Sequence, residues 1–274
     1  MMVVMDVRPK KSLGQHFLNS PAAIAKIVEA ARIVPGETVL EIGPGTGVLT
    51  DALLKAGARV VAVEKDVRSF EFLKERFSKN IADGALALHQ TDILKTDRTG
   101  LGLKDASYAV VANIPYYITG AILESFLEYE PRPDRMVLLV QKEVAERIVA
   151  KNKKEGVLSI SVKAFGTPRI ISKVQRGAFT PPPKVDSAIL AIAGVSDQNF
   201  KQNGLEIRRF FEVIKAGFAH KRKLVRRNLE GTASTPKISR AWKKLSLDEK
   251  LRAEDMTLED WLGIAKETQN PPWG

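Results

Sequence analysis

Thr38-Val39-Leu40-Glu41-Ile42-Gly43-Pro44-Gly45-Thr46-Gly47 is the stretch that decides the fold. Thr38 to Ile42 is short and largely apolar, and reads as a strand. It runs into glycines at 43, 45 and 47, after which Leu49 to Lys55 is helical in pattern. A glycine-rich turn between strand and helix lets a ligand approach the backbone closely. The dinucleotide fingerprint requires Gly at its first, third and sixth places, and Val48 occupies the sixth. The lysine of a P-loop is also missing.

Outward from this turn, apolar runs alternate with amphipathic segments. Arg59 to Val63, Ala85 to His89, Tyr108 to Ala112 and Met136 to Val140 read as strands, with helices such as Thr119 to Tyr129 between them. The last of these strands is almost continuously apolar, which suits burial on both faces. Such alternation predicts a parallel sheet with right-handed crossovers. Arg169 to Val174 and Val185 to Ala193 read as two further strands joined by a proline-rich loop, an antiparallel addition at the sheet edge. Gly194 to Gly204 is polar and glycine-bearing and reads as a linker. The expected fold is therefore α/β: a Rossmann-like sheet, mostly parallel with an antiparallel edge, plus a small basic all-helical C-terminal domain. The boundaries expected are 1–197 for the first domain, 203–266 for the second, and a frayed tail at 267–274.

The chain has 274 residues, 44% of them hydrophobic and 27% charged, enough for a substantial core. It has no cysteine, which excludes disulfides, thiolate metal sites and cysteine nucleophiles. It has no apolar run of membrane-spanning length and no signal peptide, so a cytoplasmic location away from membranes is expected. The net charge is +11, and it is unevenly placed. Between Lys201 and Arg252 there are fifteen Lys or Arg against five Asp or Glu. The densest piece holds Lys221, Arg222, Lys223, Arg226 and Arg227, with Phe210, Phe211, Ile214 and Phe218 recurring at helical spacing nearby. That pattern predicts helices with one buried and one cationic face, and a polyanionic partner such as RNA. A second basic stretch, Arg8-Pro9-Lys10-Lys11, opens the chain.

Two acids follow the glycine turn at strand ends. Glu64 lies about twenty residues past it, where a carboxylate can accept from both hydroxyls of a ribose. Asp92 follows the third strand, within reach of the adenine end of the same ligand. With Gly43 and Gly45 they form a set that suits S-adenosylmethionine better than a dinucleotide, at the sheet edge where such folds bind ligands. The fourth strand then ends in Asn113-Ile114-Pro115-Tyr116. An adenine N6 lone pair is delocalised into its ring, so the nitrogen is a poor nucleophile. Acceptors on its N–H groups, the Asn113 side-chain oxygen and the Ile114 carbonyl, draw it towards a nucleophilic geometry. Pro115 stiffens the turn, and Tyr116 offers a face on which an extruded base stacks. No strong general base is required, no metal is expected, and catalysis is chiefly positioning and electrostatics.

These residues resemble the ribosomal RNA adenine N6,N6-dimethyltransferases, in particular the bacterial small-subunit branch. The matching segments are Gly14 to Leu18, Glu41 to Gly47, Asn113 to Tyr116, Gln141 to Ala145 and Ala178 to Ala188, spread over about Lys11 to Ala193. The most specific is Phe179-Thr180-Pro181-Pro182-Pro183-Lys184-Val185-Asp186-Ser187. The resemblance implies that His16 and Leu18 border the cofactor, with Gly43, Glu64, Asp92 and Asn113 completing its contacts. Position 16 departs from the pattern, where Asn is usual. The resemblance also implies that Phe179 packs on the target base opposite Tyr116. It implies two adjacent dimethyladenosines near the 3′ end of small-subunit rRNA as product; the expected partner is that rRNA within a pre-ribosomal subunit, with naked RNA left open as the alternative. No dimerisation stripe is visible, so a monomer is expected.

Three alternatives stand at this point. One is the large-subunit rRNA methyltransferase of the macrolide-resistance type, against which the Phe179 to Ser187 segment and the basic C-terminal region weigh. Another is a non-catalytic assembly or transcription factor on the same fold, against which the intact Glu64, Asp92 and Asn113 to Tyr116 weigh. The third, a nicotinamide oxidoreductase, is disfavoured by Val48.

Overall fold

The computed structural model describes residues 9–10, 14–220 and 222–269. They divide into two compact units, one of residues up to 145 with 167–195, the other of 146–166 with residues from 196 onward.

The first unit is built on nine strands: β1 (Phe17–Leu18), β2 (Thr38–Ile42), β3 (Arg59–Glu64), β4 (Leu86–Gln90), β5 (Tyr108–Asn113), β6 (Arg135–Gln141), β7 (Thr167–Val174), β8 (Phe179–Thr180) and β9 (Ser187–Ala193). Seven of them form one sheet in the order β4-β3-β2-β5-β6-β9-β7. Strands β2 to β6 run parallel, and β9 is antiparallel to both β6 and β7. The expected antiparallel edge is therefore present, with the last strand inserted between β6 and β7. Met136 to Val140 are almost fully buried, as their unbroken hydrophobicity predicts. The strand order reverses between β2 and β5, so the carboxyl ends of these neighbours flank the crevice in which open α/β sheets take their ligands.

The helix Pro21–Ala31 begins where Ser20 caps it, the hydroxyl accepting from the Ala23 N–H, with Pro21 in the first turn. Its Ala23, Ile27 and Ala31 join Leu49 and Leu53 of the next helix and Leu73 of a third in a core that covers one face of β2 and β3. The two shortest strands, β1 and β8, pair antiparallel with Phe17 opposite Thr180 and Leu18 opposite Phe179. No sequence pattern announces them, because two residues show no periodicity.

The second unit is helical. Phe165, from the helix Val157–Phe165, lies 4.9 Å ring to ring from Phe200 and 6.3 Å from Phe211. Phe210 meets Phe200 edge-on, and Phe218 stacks on Trp261. Phe165 explains why residues 146–166, which the sequence expectation kept with the first domain, cluster with the C-terminal helices instead. The expected linker at Gly194 to Gly204 is also corrected. Residues Gln198–Asn203 form a helix whose Phe200 is buried in this aromatic cluster. Glu267 and Thr268, expected in a frayed tail, complete the helix Leu258–Thr268, and Thr268 is buried. Residues 270–274 of that tail lie outside the described residues.

Candidate active site

The carboxyl ends of β2 to β5 open into a cleft of about 850 Å³, counting the space open to solvent at its mouth. Its walls are Gly14 to Phe17, the glycine turn, Glu64 to Asp66, Asp92 and Asn113 to Ile118. Gly45 has φ +59°, and a Cβ there would stand 3.0 Å from the Phe17 ring. Phe17 thus lies directly on the turn, and only glycine leaves room for it.

Glu64 ends β3 and is 5% exposed. Its two carboxylate oxygens accept from backbone N–H groups, Oε2 from Gly45 at 3.1 Å and Oε1 from Asp66 at 2.8 Å. These bonds orient the carboxylate without saturating its four lone pairs. Burial pushes its pKa up. Within β2, Glu41 is buried too and accepts from the Thr50 hydroxyl at 2.6 Å. Burial, reinforced by the nearby Glu64 charge, raises Glu41 to about 8. The sequence pattern gives Glu41 no site role; the available signal is an acid inside an apolar strand.

Asp92 accepts from the Lys65 ammonium at 2.9 Å and from the Leu94 N–H at 3.2 Å. The neighbouring Asp66 is paired with Arg68 at 2.6 Å and accepts from Gln15 at 3.4 Å, which ties the Gly14–Phe17 segment to the rim.

Asn113 is the decisive side chain. Its Nδ2 donates to the His16 carbonyl at 3.1 Å. That fixes the amide so that Oδ1 stays an acceptor with no partner among the described residues. Ile114 is buried and anchors the turn. Tyr116 is half-buried, its hydroxyl 2.7 Å from the Ser187 hydroxyl at the start of β9, which holds the ring in place. Pro115 accepts from the Ile118 N–H through its carbonyl, closing the turn beneath Tyr116. Tyr117, which no sequence pattern singles out, stands 67% exposed at the cleft rim.

The structure thus brings together His16, Gly43, Gly45, Glu64, Asp92 and Asn113 to Tyr116 around one cleft. It does not bring Leu18 or Phe179 there. Both are 3% exposed and belong to the core beside Val174 and Ile189. Phe179 occupies the place of a core aromatic beside a proline turn, not that of an open wall facing Tyr116. Among the described residues no group of three His, Asp or Glu is placed to hold a metal ion. No helix of the described residues is long and apolar enough to cross a membrane.

In the second unit Arg222, Lys223 and Arg227 are exposed. Arg226 is engaged internally, paired with Glu249 and donating to the Ser239 hydroxyl at 2.8 Å. Lys221 lies outside the described residues, as do Arg8 and Lys11.

The family model for ribosomal RNA adenine dimethylase matches residues 7–270. The chain belongs to that family. A relative from Dehalococcoides mccartyi strain CBDB1, named ribosomal RNA small subunit methyltransferase A, is 41% identical over 99% of this chain and 92% of its own length. One of the same name from Thermosynechococcus vestitus is 38% identical over 95% of this chain and 97% of its own. Among solved structures, a dimethyladenosine transferase from Plasmodium falciparum superposes with a TM-score of 0.76 at 26% identity, covering 91% of this chain and 96% of that one. The 23S rRNA methyltransferase ErmE gives 0.70 at 25% identity, covering 92% and 99%. As a dimethylase of this family the chain uses S-adenosylmethionine, and the nicotinamide oxidoreductase alternative falls away.

Proposed function

We infer that the chain transfers methyl groups from S-adenosylmethionine to the N6 amino groups of two adjacent adenosines near the 3′ end of small-subunit rRNA. The observation that carries this reading is Asn113, whose amide is pinned through Nδ2 and leaves Oδ1 open at the end of β5. The cleft's donor set fits the cofactor. Glu64, held by the Gly45 and Asp66 N–H groups, keeps lone pairs for ribose hydroxyls. Gly43 leaves its turn open on the cleft side, with nothing within 4 Å of a Cβ built there. Asp92 takes the adenine end, and the backbone of His16 closes the wall beside Asn113. When bound, the cofactor supplies a methyl group already activated by a cationic sulfur.

The residues then do the positioning. Tyr116 stacks the extruded base, its ring fixed by the bond to Ser187. Asn113 Oδ1 accepts from N6–H and raises the nucleophilicity of the nitrogen. The Ile114 carbonyl remains the second acceptor proposed for N6. Phe179 supports this arrangement from the core.

Exposed Arg222, Lys223 and Arg227 are proposed to contact rRNA phosphates, with Lys221 completing the patch and Arg226 contributing less because Glu249 engages it. We propose a pre-ribosomal small subunit as substrate, met in the cytoplasm by the protein as a monomer. The large-subunit alternative is disfavoured by the 41% identity to a small-subunit relative against 25% to ErmE.

The test is incubation with labelled S-adenosylmethionine and unmodified small subunits, followed by mapping of the methylated nucleotides. Label in paired adenosines near the 3′ end is expected, and label confined to large-subunit RNA would overturn the assignment. Asn113→Ala is expected to abolish transfer while leaving RNA affinity within a few-fold of wild type; near-normal turnover would sink the mechanism.

A further inference from the structure

Two tyrosines stand side by side after β5, and their surroundings differ. Tyr116 is half-buried, its hydroxyl 2.7 Å from that of Ser187. Tyr117 is 67% exposed. Among the described residues its hydroxyl has no hydrogen-bond partner and its ring no aromatic neighbour. The ring is nonetheless held in one place. A Cβ built on Gly14 would stand 3.3 Å from Tyr117 Cε1 and 3.4 Å from Cδ1, so that edge of the ring leans on the Gly14 backbone. The hydroxyl end interacts electrostatically with the Lys65 ammonium. Gly14 and Lys65 both line the cleft, which puts the ring at the cleft mouth.

The backbone beneath is fixed as well. Tyr116–Ile118 is a single 3-10 turn. The Ile118 N–H donates to the Pro115 carbonyl at 3.1 Å, and the Thr119 hydroxyl to the Tyr116 carbonyl at 3.1 Å. With three residues per turn, successive side chains diverge by about a third of a turn. A Tyr116 ring bonded inward to Ser187 therefore sends Tyr117 towards the rim. Extruding a target base into the cleft breaks its stacking on both neighbours. A flat ring at the mouth replaces one of those stacks, and does so for any base, because every base has a π-face.

We propose that Tyr117 stacks on the nucleotide next to the extruded adenosine, so that two consecutive tyrosines hold two consecutive nucleotides. The proposal rests on the methyl-transfer reading above and deepens it, giving the RNA a second contact at the same cleft. Tyr116 takes the base that reacts, and Tyr117 keeps its neighbour from collapsing into the space the base has left. The ring carries this effect and the hydroxyl does not, since the hydroxyl has no partner to lose.

The test is single-turnover methyl transfer to unmodified small subunits at subsaturating concentration, for wild type, Y117F, Y117L and Y117A, with S-adenosylmethionine affinity measured for each by calorimetric titration. Phe keeps the ring, Leu keeps apolar bulk without a flat face, and Ala keeps neither. The expected result is a second-order rate constant near wild type for Y117F and lowered about fivefold or more for Y117L and Y117A, the loss that one base stack predicts, with cofactor affinity unchanged in all three. Rates for Y117L and Y117A equal to wild type would overturn the proposal, as would a Y117F rate as low as that of Y117A. A loss of cofactor affinity that accounts for the lowered rate would also overturn it, by assigning the ring to the cofactor wall. Each of these leaves the methyltransferase reading intact, whereas absence of any transfer by the wild type would overturn both.

Discussion

Glu41 holds a proton in the folded chain under conditions where the unfolded chain has lost it. Its reference value is 4.5, and burial lifts it to about 8 in the fold. Between those pH values the native state binds more protons than the unfolded state, so this group's contribution to stability is present below 4.5 and lost as pH rises towards 8. Glu41→Gln keeps an acceptor for Thr50 and removes the titration. Urea midpoints measured from pH 5 to 8 are therefore expected to fall more steeply for the wild type than for E41Q; parallel profiles would contradict the assignment. Glu64, Asp92 and Asn113 are legible in the sequence because each sits where a strand ends, a position that pattern alone reveals. Glu41 is not, because the pattern marks an acid inside an apolar strand without giving it a partner or a role. Phe179 is misplaced for a related reason: a proline-flanked aromatic reads alike whether it faces a base or the core, and pairing with Leu18 decides for the core.

At the scale of elements, glycine marks where one piece of structure must come close to another. A Cβ on Gly45 would press on Phe17 at 3.0 Å, and the backbone there is left-handed. Gly45→Ala is expected to weaken S-adenosylmethionine binding by tenfold or more, roughly 1.4 kcal/mol, while RNA affinity stays near wild type. Calorimetric titration checks this, and an unchanged affinity would remove the turn from the cofactor site. Gly217 lies on the helix Ile207–Gly217, and a Cβ there would stand 2.2 Å from the Trp261 ring. Gly217→Ala overpacks that contact, at a cost of about 1–3 kcal/mol, which denaturant unfolding would read as a lower midpoint. Strand β2 matches its expected bounds of Thr38 to Ile42 because an apolar run that stops at a glycine turn has two clear ends. The helix Gln198–Asn203 is hidden in the sequence because its single large apolar residue, Phe200, produces no period to detect.

Across the molecule, the basic surplus between Lys201 and Arg252 predicts salt-dependent binding. Replacing Arg222, Lys223 and Arg227 together by Ala is expected to weaken rRNA binding and to flatten its logarithmic salt slope by about 0.7–0.9 for each phosphate no longer neutralised. Arg226→Ala should change that slope less, since Glu249 already neutralises it. Filter binding between 50 and 200 mM salt, a range over which such slopes are resolved, distinguishes them, and an equal effect of Arg226 would refute the distinction. Charge and fold class are legible because both are sums over many residues. The grouping of 146–166 with the C-terminal helices is not, because it turns on contacts between residues far apart in the chain, Phe165 with Phe200 and Phe211 and Lys154 with Glu254 among them. Finally, His16 and Pro181 meet across 165 positions of chain, and β9 slots between two strands made before it. During synthesis the glycine turn and β2 to β5 emerge early, but the partners that hold His16 and Tyr116, Pro181 and Ser187, wait for residues 179–193. Closing so long a loop slows assembly. A nascent chain stalled before β8 would therefore be expected to lack a finished catalytic wall, so competence to methylate arrives late in the protein's own production.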